Sequence, residues 1–103
     1  VSDLREPLIR VREVLLGADY TVARVRELLG AVAGGALARD EIVPALRVTG
    51  GGSPLEALTR LFWLQVPVDA GAVEADDLVA AGLAEVSGGE ARARLRVEPL
   101  EAV

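Results

Sequence analysis

The stretch Thr49–Pro67, "TGGGSPLEALTRLFWLQVP", decides how this chain is read. Three glycines run into Ser53-Pro54 and then into the most apolar segment of the sequence. Gly-rich turns that open helices often cradle phosphates, so the first question is whether this is a nucleotide site. A P-loop needs a lysine to reach the phosphates, and the chain has no lysine at all. A dinucleotide fingerprint needs a further glycine where Leu55 stands, and free N–H groups at the helix start, of which Pro54 has removed one. What remains is a mobile connector followed by a well-capped helix. Ser53 is the N-cap, Pro54 occupies the first helical position, and Glu56 falls three residues after the cap as the second half of a capping box. Leu55, Leu58, Leu61, Phe62 and Leu64 are its apolar positions, and Pro67 helps to end it. The chain has one Trp, one Tyr and one Phe, and two of these stand together here. Phe62 and Trp63 are therefore expected at the centre of the core.

Upstream, Leu4, Leu8, Val11 and Leu15 recur at helical spacing and predict a first helix over about Asp3–Leu16, with Glu6 and Arg10 as a supporting i,i+4 pair. Gly17 ends it. Thr21 reads as the N-cap of a short second helix, "VARVRELL", with Val22, Val25 and Leu29 inward and Gly30 as its stop. "AVAGGALARD" is a third helical candidate weakened by Gly34 and Gly35. In "EIVPALRV" the residues Ile42, Val43, Leu46 and Val48 suggest a short strand, confined by Pro44 to an edge or a strand start.

Downstream, Asp69 is the expected cap of a helix running through "AGAVEADDLVAA" to Gly82, with a break near Asp76–Asp77. "GLAEVSGGEARARLRV" reads as two strands around a Ser87-Gly88-Gly89 turn. Alternation places Ala91, Ala93, Leu95 and Val97 on one face and Arg92, Arg94 and Arg96 on the other. Helix, three-residue turn at Pro67-Val68-Asp69, helix, hairpin: that order predicts a winged-helix-like domain. The expected fold class is mainly α with a small β-hairpin (α+β). It forms a single domain over 1–103, divided into N-terminal helices plus a short strand (1–48), a Gly-rich connector (49–53) and a helix-turn-helix with its wing hairpin (54–98).

Composition narrows the function. Apolar residues make up 51 % of 103 residues and charged ones 26 %, as expected of an ordered domain able to bury roughly two-thirds of its unfolded surface. With neither His nor Cys, Cys/His zinc sites, a Cys nucleophile, a His base and disulfides are excluded. A net charge of −5 argues against non-specific nucleic-acid binding as the main role. Charged residues interrupt the first apolar stretch and no segment approaches a membrane span, so a cytoplasmic location without membrane contact is expected.

The helix that would enter a DNA groove carries Asp69, Glu74, Asp76 and Asp77 and no basic or amide side chain, so it is expected to repel phosphates and to present a solvated acidic face. The ridge of Arg92, Arg94 and Arg96 is the one basic patch that stands out, a candidate nucleic-acid or partner contact. Its plainer reading is an exposed strand face paired with Glu85, Glu90 or Glu98. Adjacent carboxylates such as Asp76–Asp77 point about 100° apart on a helix and make no catalytic dyad. No catalytic, cofactor-binding or metal-binding residue is expected in this chain.

At "VPALR", "GGSPLEALTRLFWLQVPV" and "DDLVAAGLAEV" the sequence resembles the N-terminal domains of actinobacterial S-adenosylmethionine-dependent methyltransferases, related to the small-domain and glutamine-N5 methyltransferase-like enzymes. The upstream "GADYTVARVRELLG" is similar too, so the resemblance spans nearly the whole chain. In such proteins a Rossmann-like catalytic domain follows the hairpin and supplies the Gly-rich cofactor motif and an Asn-Pro-Pro-type motif. Neither motif occurs here, so no family catalytic residue carries over. The resemblance implies an accessory domain for substrate recognition or scaffolding. Its partners would be a methyltransferase catalytic domain, in cis or in trans, and a macromolecular substrate, with S-adenosylmethionine held by the catalytic domain. The alternative expectation is a free-standing winged-helix transcription regulator or protein-interaction module.

Overall fold

In the computed structural model, which describes residues 5–101, the first helix α1 spans Arg5–Gly17. Val11 and Leu15 are buried, and Arg10 Nη2 meets Glu6 Oε1 at 2.7 Å as the i,i+4 spacing predicts. Leu8 departs from expectation: it is half exposed beside Ile9 and does not join the inward stripe. Leu4 lies outside the described residues.

The second helix α2, Val22–Leu37, begins as predicted, with the Arg24 N–H donating to Thr21 Oγ1 at 3.3 Å. Gly30 interrupts the helical geometry where a stop is expected. It takes φ 71°, and the helix then resumes through the Gly34-Gly35 pair, with Ala33 and Ala36 buried. Helix propensity at those glycines is outweighed by the close packing that the two alanines make.

The expected strand in "EIVPALRV" is instead helix α3, Val43–Val48, packed on α2. Pro44 lies in its first turn, where a missing N–H costs nothing. Ala45 and Thr49 are buried, Ile42 and Leu46 partly so, while Val43 and Val48 are exposed. Residues 42, 45, 46 and 49 share one side, which is a 3.6-residue period and not alternation.

Helix α4, Pro54–Leu58, carries the predicted capping box with both halves made. It continues as a π-helical turn over Thr59–Trp63, closed by the Leu64 N–H bonding to Thr59 O at 2.9 Å. Gln65 ends it in the left-handed region at φ 59°, its side-chain amide donating to Phe62 O at 2.9 Å.

The segment after Pro67 departs furthest from expectation. Val68–Asp69 forms strand β1 rather than the turn between two helices. The helix expected from Asp69 to Gly82 is two pieces, a 3₁₀ turn at Ala70–Ala72 and α5 at Ala75–Ala80. The break falls at Val73, which is extended, and not at Asp76–Asp77. Asp69 does cap, accepting from the Gly71 N–H at 3.0 Å.

Strands β2, Ala84–Ser87, and β3, Glu90–Ala93, form the predicted hairpin, and Gly88 and Gly89 both take positive φ as a two-residue turn requires. β1 pairs with the other side of β3, so the antiparallel sheet has the order β1-β3-β2. Ala91 pairs with both Val68 and Val86 and is fully buried.

One hydrophobic cluster runs through the molecule from Val11 and Tyr20 to Phe62, Leu78 and Ala91, so residues on both sides of the glycines share a core. Phe62 is at its centre as expected. Trp63 is only partly buried, and the ring beside Phe62 is that of Tyr20, fully buried with centroids 6.5 Å apart. After Ala93 the chain crosses to the start of α2. There the Val22 N–H donates to Leu100 O and the Leu100 N–H donates to Tyr20 O, both at 2.9 Å.

Candidate functional site: a groove beside Trp63

The glycine loop is occupied by the protein's own carboxylate. Glu56 accepts from the Gly51 N–H at 2.8 Å through Oε2 and from the Ser53 N–H at 3.1 Å through Oε1. Two of the N–H groups that would greet a phosphate are already taken. A Cβ at Gly51 would lie 2.6 Å from Glu56 Oε2, so the glycine is there to let the carboxylate approach. The Ser53 hydroxyl first, then the Gly51 and Ser53 N–H groups, hold the Glu56 carboxyl below its ordinary value. Arg60 reaches back across the same loop. Its Nε donates to Thr49 Oγ1 at 3.0 Å and its Nη2 to Leu46 O at 2.6 Å, capping a carbonyl at the end of α3. The loop expected to be a mobile joint is thus hydrogen-bonded from both ends.

The arginine ridge is not one face. Pairing with β2 continues through the Arg94 N–H and ends there, and with it the alternation that would align Arg96 with Arg92 and Arg94. Arg92 is exposed, opposite Glu85 in the sheet and 3.9 Å from Glu90. Arg94 is exposed, and its N–H donates to Leu83 O at 2.9 Å. Arg96 turns the other way. Its guanidinium lies 4.3 Å from the Trp63 ring centroid, and Nη2 donates to Trp63 O at 3.0 Å. Leu95, expected on the same face as Ala91, is half exposed where Ala91 is fully buried.

Trp63 and Arg96 form part of the wall of an open groove of about 720 Å³ between α2 and the 96–101 segment. Its apolar floor includes Val22, Leu29, Leu37 and Ile42, and its rim carries Arg26, Arg96, Asp40, Glu98 and Glu101. A concave apolar surface with charges of both signs at its edge is suited to holding a segment of another macromolecule. The sequence signal for it was the Phe62-Trp63 pair itself: neighbouring helical side chains point about 100° apart, and here Leu61 and Phe62 take the inward arc while Trp63 falls at its margin.

The acidic residues are dispersed. Asp69 is engaged by Gly71, Asp77 lies 3.9 Å from Arg10, and Glu74 and Asp76 are exposed. Among the described residues no group of three Asp, Glu, His or Cys is placed to hold a metal ion, and no helix is long and apolar enough to cross a membrane.

The protein family described as a domain of unknown function (DUF7059) matches residues 17–94, most of the chain. The chain belongs to this family. The DUF7059 match takes in everything from the end of α1 to the end of β3, and so includes Tyr20, the capping box, Trp63 and the hairpin. Arg96 and the 96–101 wall of the groove lie beyond it. No curated protein and no solved structure matches.

Proposed function

We propose that this chain is a non-catalytic accessory domain of an S-adenosylmethionine-dependent methyltransferase, serving substrate recognition or scaffolding. The observation that carries the reading is the resemblance at "VPALR", "GGSPLEALTRLFWLQVPV" and "DDLVAAGLAEV". These three segments build α3, the Glu56-filled loop, α4 with its π turn, β1, and α5 with β2, a contiguous half of the fold. The groove beside Trp63 offers such a domain a surface on which a catalytic domain, in cis or in trans, or its macromolecular substrate can rest. S-adenosylmethionine and the chemistry belong to the catalytic domain on this reading, and the location is cytoplasmic. Two measurements test it. Titration of S-adenosylmethionine into this chain in a calorimeter is expected to give no heat of binding, and saturable binding overturns the accessory reading. Co-purification with a methyltransferase catalytic domain supplied in trans is expected to weaken in a Trp63→Ala chain. Loss of no binding there removes the groove from the reading.

A second reading, a free-standing winged-helix-like regulator or protein-interaction module, is favoured by the sheet order β1-β3-β2 around a hairpin that follows α5. Duplex reading by α5 is not part of it, because the exposed side chains of that region include Glu74 and Asp76 and no base. A salt-dependent gel-shift on DNA and RNA separates the two readings: sequence-selective duplex binding would favour the regulator.

A further inference from the structure

The outer edge of the sheet is a strand with its backbone donors and acceptors turned outward. The Ala70 N–H donates to Gly89 O at 2.9 Å, which makes Val68 and Ala91 a hydrogen-bonded pair two residues further along β1 and β3. Ala91 therefore bonds toward β1, and its other partner, Val86, is in the non-bonded class of the β2–β3 ladder. The Arg94 N–H donating to Leu83 O sets the same phase from the opposite end. Glu85 and Ser87 bond inward to β3, and the N–H and C=O of Val86 face away from the sheet.

Beside that edge lies a shallow hollow of about 640 Å³. Val73, Val79 and Val86 line it, and Val79 and Val86 are both more than 40 % exposed. Its charged lining residues are Glu74 and Asp76, with no cation among them. On the other face of the edge, Glu85 is exposed. A strand added here meets Glu85 on one face, whose cross-strand neighbour Arg92 lies 3.9 Å from Glu90, and valines rimmed by carboxylates on the other. Arginine suits both places, since its aliphatic stem lies over apolar surface while the guanidinium reaches the rim. A second copy of this chain is disfavoured as the occupant, because pairing β2 with β2 brings together two such acidic rims on molecules of net charge −5.

We propose that the β2 edge binds an extended, arginine-rich peptide segment as a fourth strand, with main-chain bonds to Val86 and arginine side chains at Glu85 and at the Glu74/Asp76 hollow. The inference is independent of the methyltransferase reading. Its test uses this chain and a labelled peptide, acetyl-Ala-Arg-Arg-Val-Arg-Ala-amide, whose adjacent arginines point to opposite faces of a strand, followed by fluorescence anisotropy and by amide chemical shifts. The expected result is saturable binding with shifts gathered at Ala84–Ser87 and Val79. Loss of binding is expected when alternate peptide nitrogens are methylated. In a Glu74→Gln/Asp76→Gln chain affinity should fall about threefold to tenfold, as two surface ion pairs allow, with the melting curve unchanged. Equal affinity for the methylated peptide means adhesion by charge alone and overturns the proposal. So do shifts centred on Trp63, or a concentration-dependent dimer that buries Val86 without peptide.

Discussion

The phenol of Tyr20 donates a 2.6 Å hydrogen bond to the backbone carbonyl of Val97, 77 positions along the chain. Two further backbone bonds join Tyr20 and Val22 to Leu100. Together they seal the C-terminal segment against the turn between α1 and α2. This contact closes one wall of the groove, so the geometry around Trp63 depends on a tyrosine far from it in sequence.

Tyr20→Phe removes the donor and leaves the Val97 carbonyl short of a partner. The expected cost is about 1–2 kcal/mol in urea unfolding, the usual range for a net hydrogen bond plus an acceptor left unsatisfied. Burial raises the phenol's pKa above its ordinary value, so the wild-type fold is at full strength below about pH 10 and loses stability as the pH rises beyond it. The Tyr20→Phe chain should lack that alkaline loss, which a denaturation series from pH 8 upward reads directly.

The capping box makes the opposite prediction in acid. Glu56 is held below its ordinary value, so its contribution is complete above about pH 4.3 and fades as the pH falls through the lowered one. Glu56→Gln should flatten the acid limb of the stability curve. Ser53→Ala should cost about 0.5–2 kcal/mol at neutral pH, measured by thermal or urea unfolding.

Arg96→Ala uncovers one face of Trp63 and removes the bond to its carbonyl. Tryptophan emission should shift to the red and become more accessible to iodide. Stability should fall by about 1–2 kcal/mol, the exposed cation–π contact and the exposed hydrogen bond together. Arg92→Ala, which touches neither, should leave the emission where it is.

Gly89→Ala places a Cβ at φ 81° in the hairpin turn. A destabilisation of about 1–3 kcal/mol is expected from the left-handed backbone alone, since open space surrounds the position. Unfolding by urea checks it, with Gly34→Ala, in a helical and uncrowded position, as the control expected to be neutral or stabilising.

Local chemistry was readable where a few neighbouring residues decide the outcome. Thr21 and Ser53 cap because the orphan N–H groups they satisfy lie three residues away, and Gly88-Gly89 turns because no other dipeptide tolerates two positive φ values so cheaply. "EIVPALRV" does not reveal its helix because four apolar residues in a short window fit both a strand and a helix. The Arg92/Arg94/Arg96 face requires alternation to run on past Arg94, but there the chain leaves the sheet to reach α2. Trp63 is expected in the core with Phe62, but Leu58, Leu61 and Phe62 fill the inward arc of the helix and Trp63 falls at its margin.

By itself the sequence determined an ordered α+β chain with a capped central helix, a C-terminal hairpin and no thiol or imidazole chemistry, because those properties rest on composition and on contacts within a few residues. Tertiary structure alone decided that Val68–Asp69 joins the sheet, that Tyr20 rather than Trp63 fills the core, and that Arg96 covers the indole. Each of those depends on a partner twenty or more positions away, as Val68 does on Ala91 and Arg96 on Trp63. Burial then selects among local conformations that the sequence leaves nearly equal in energy.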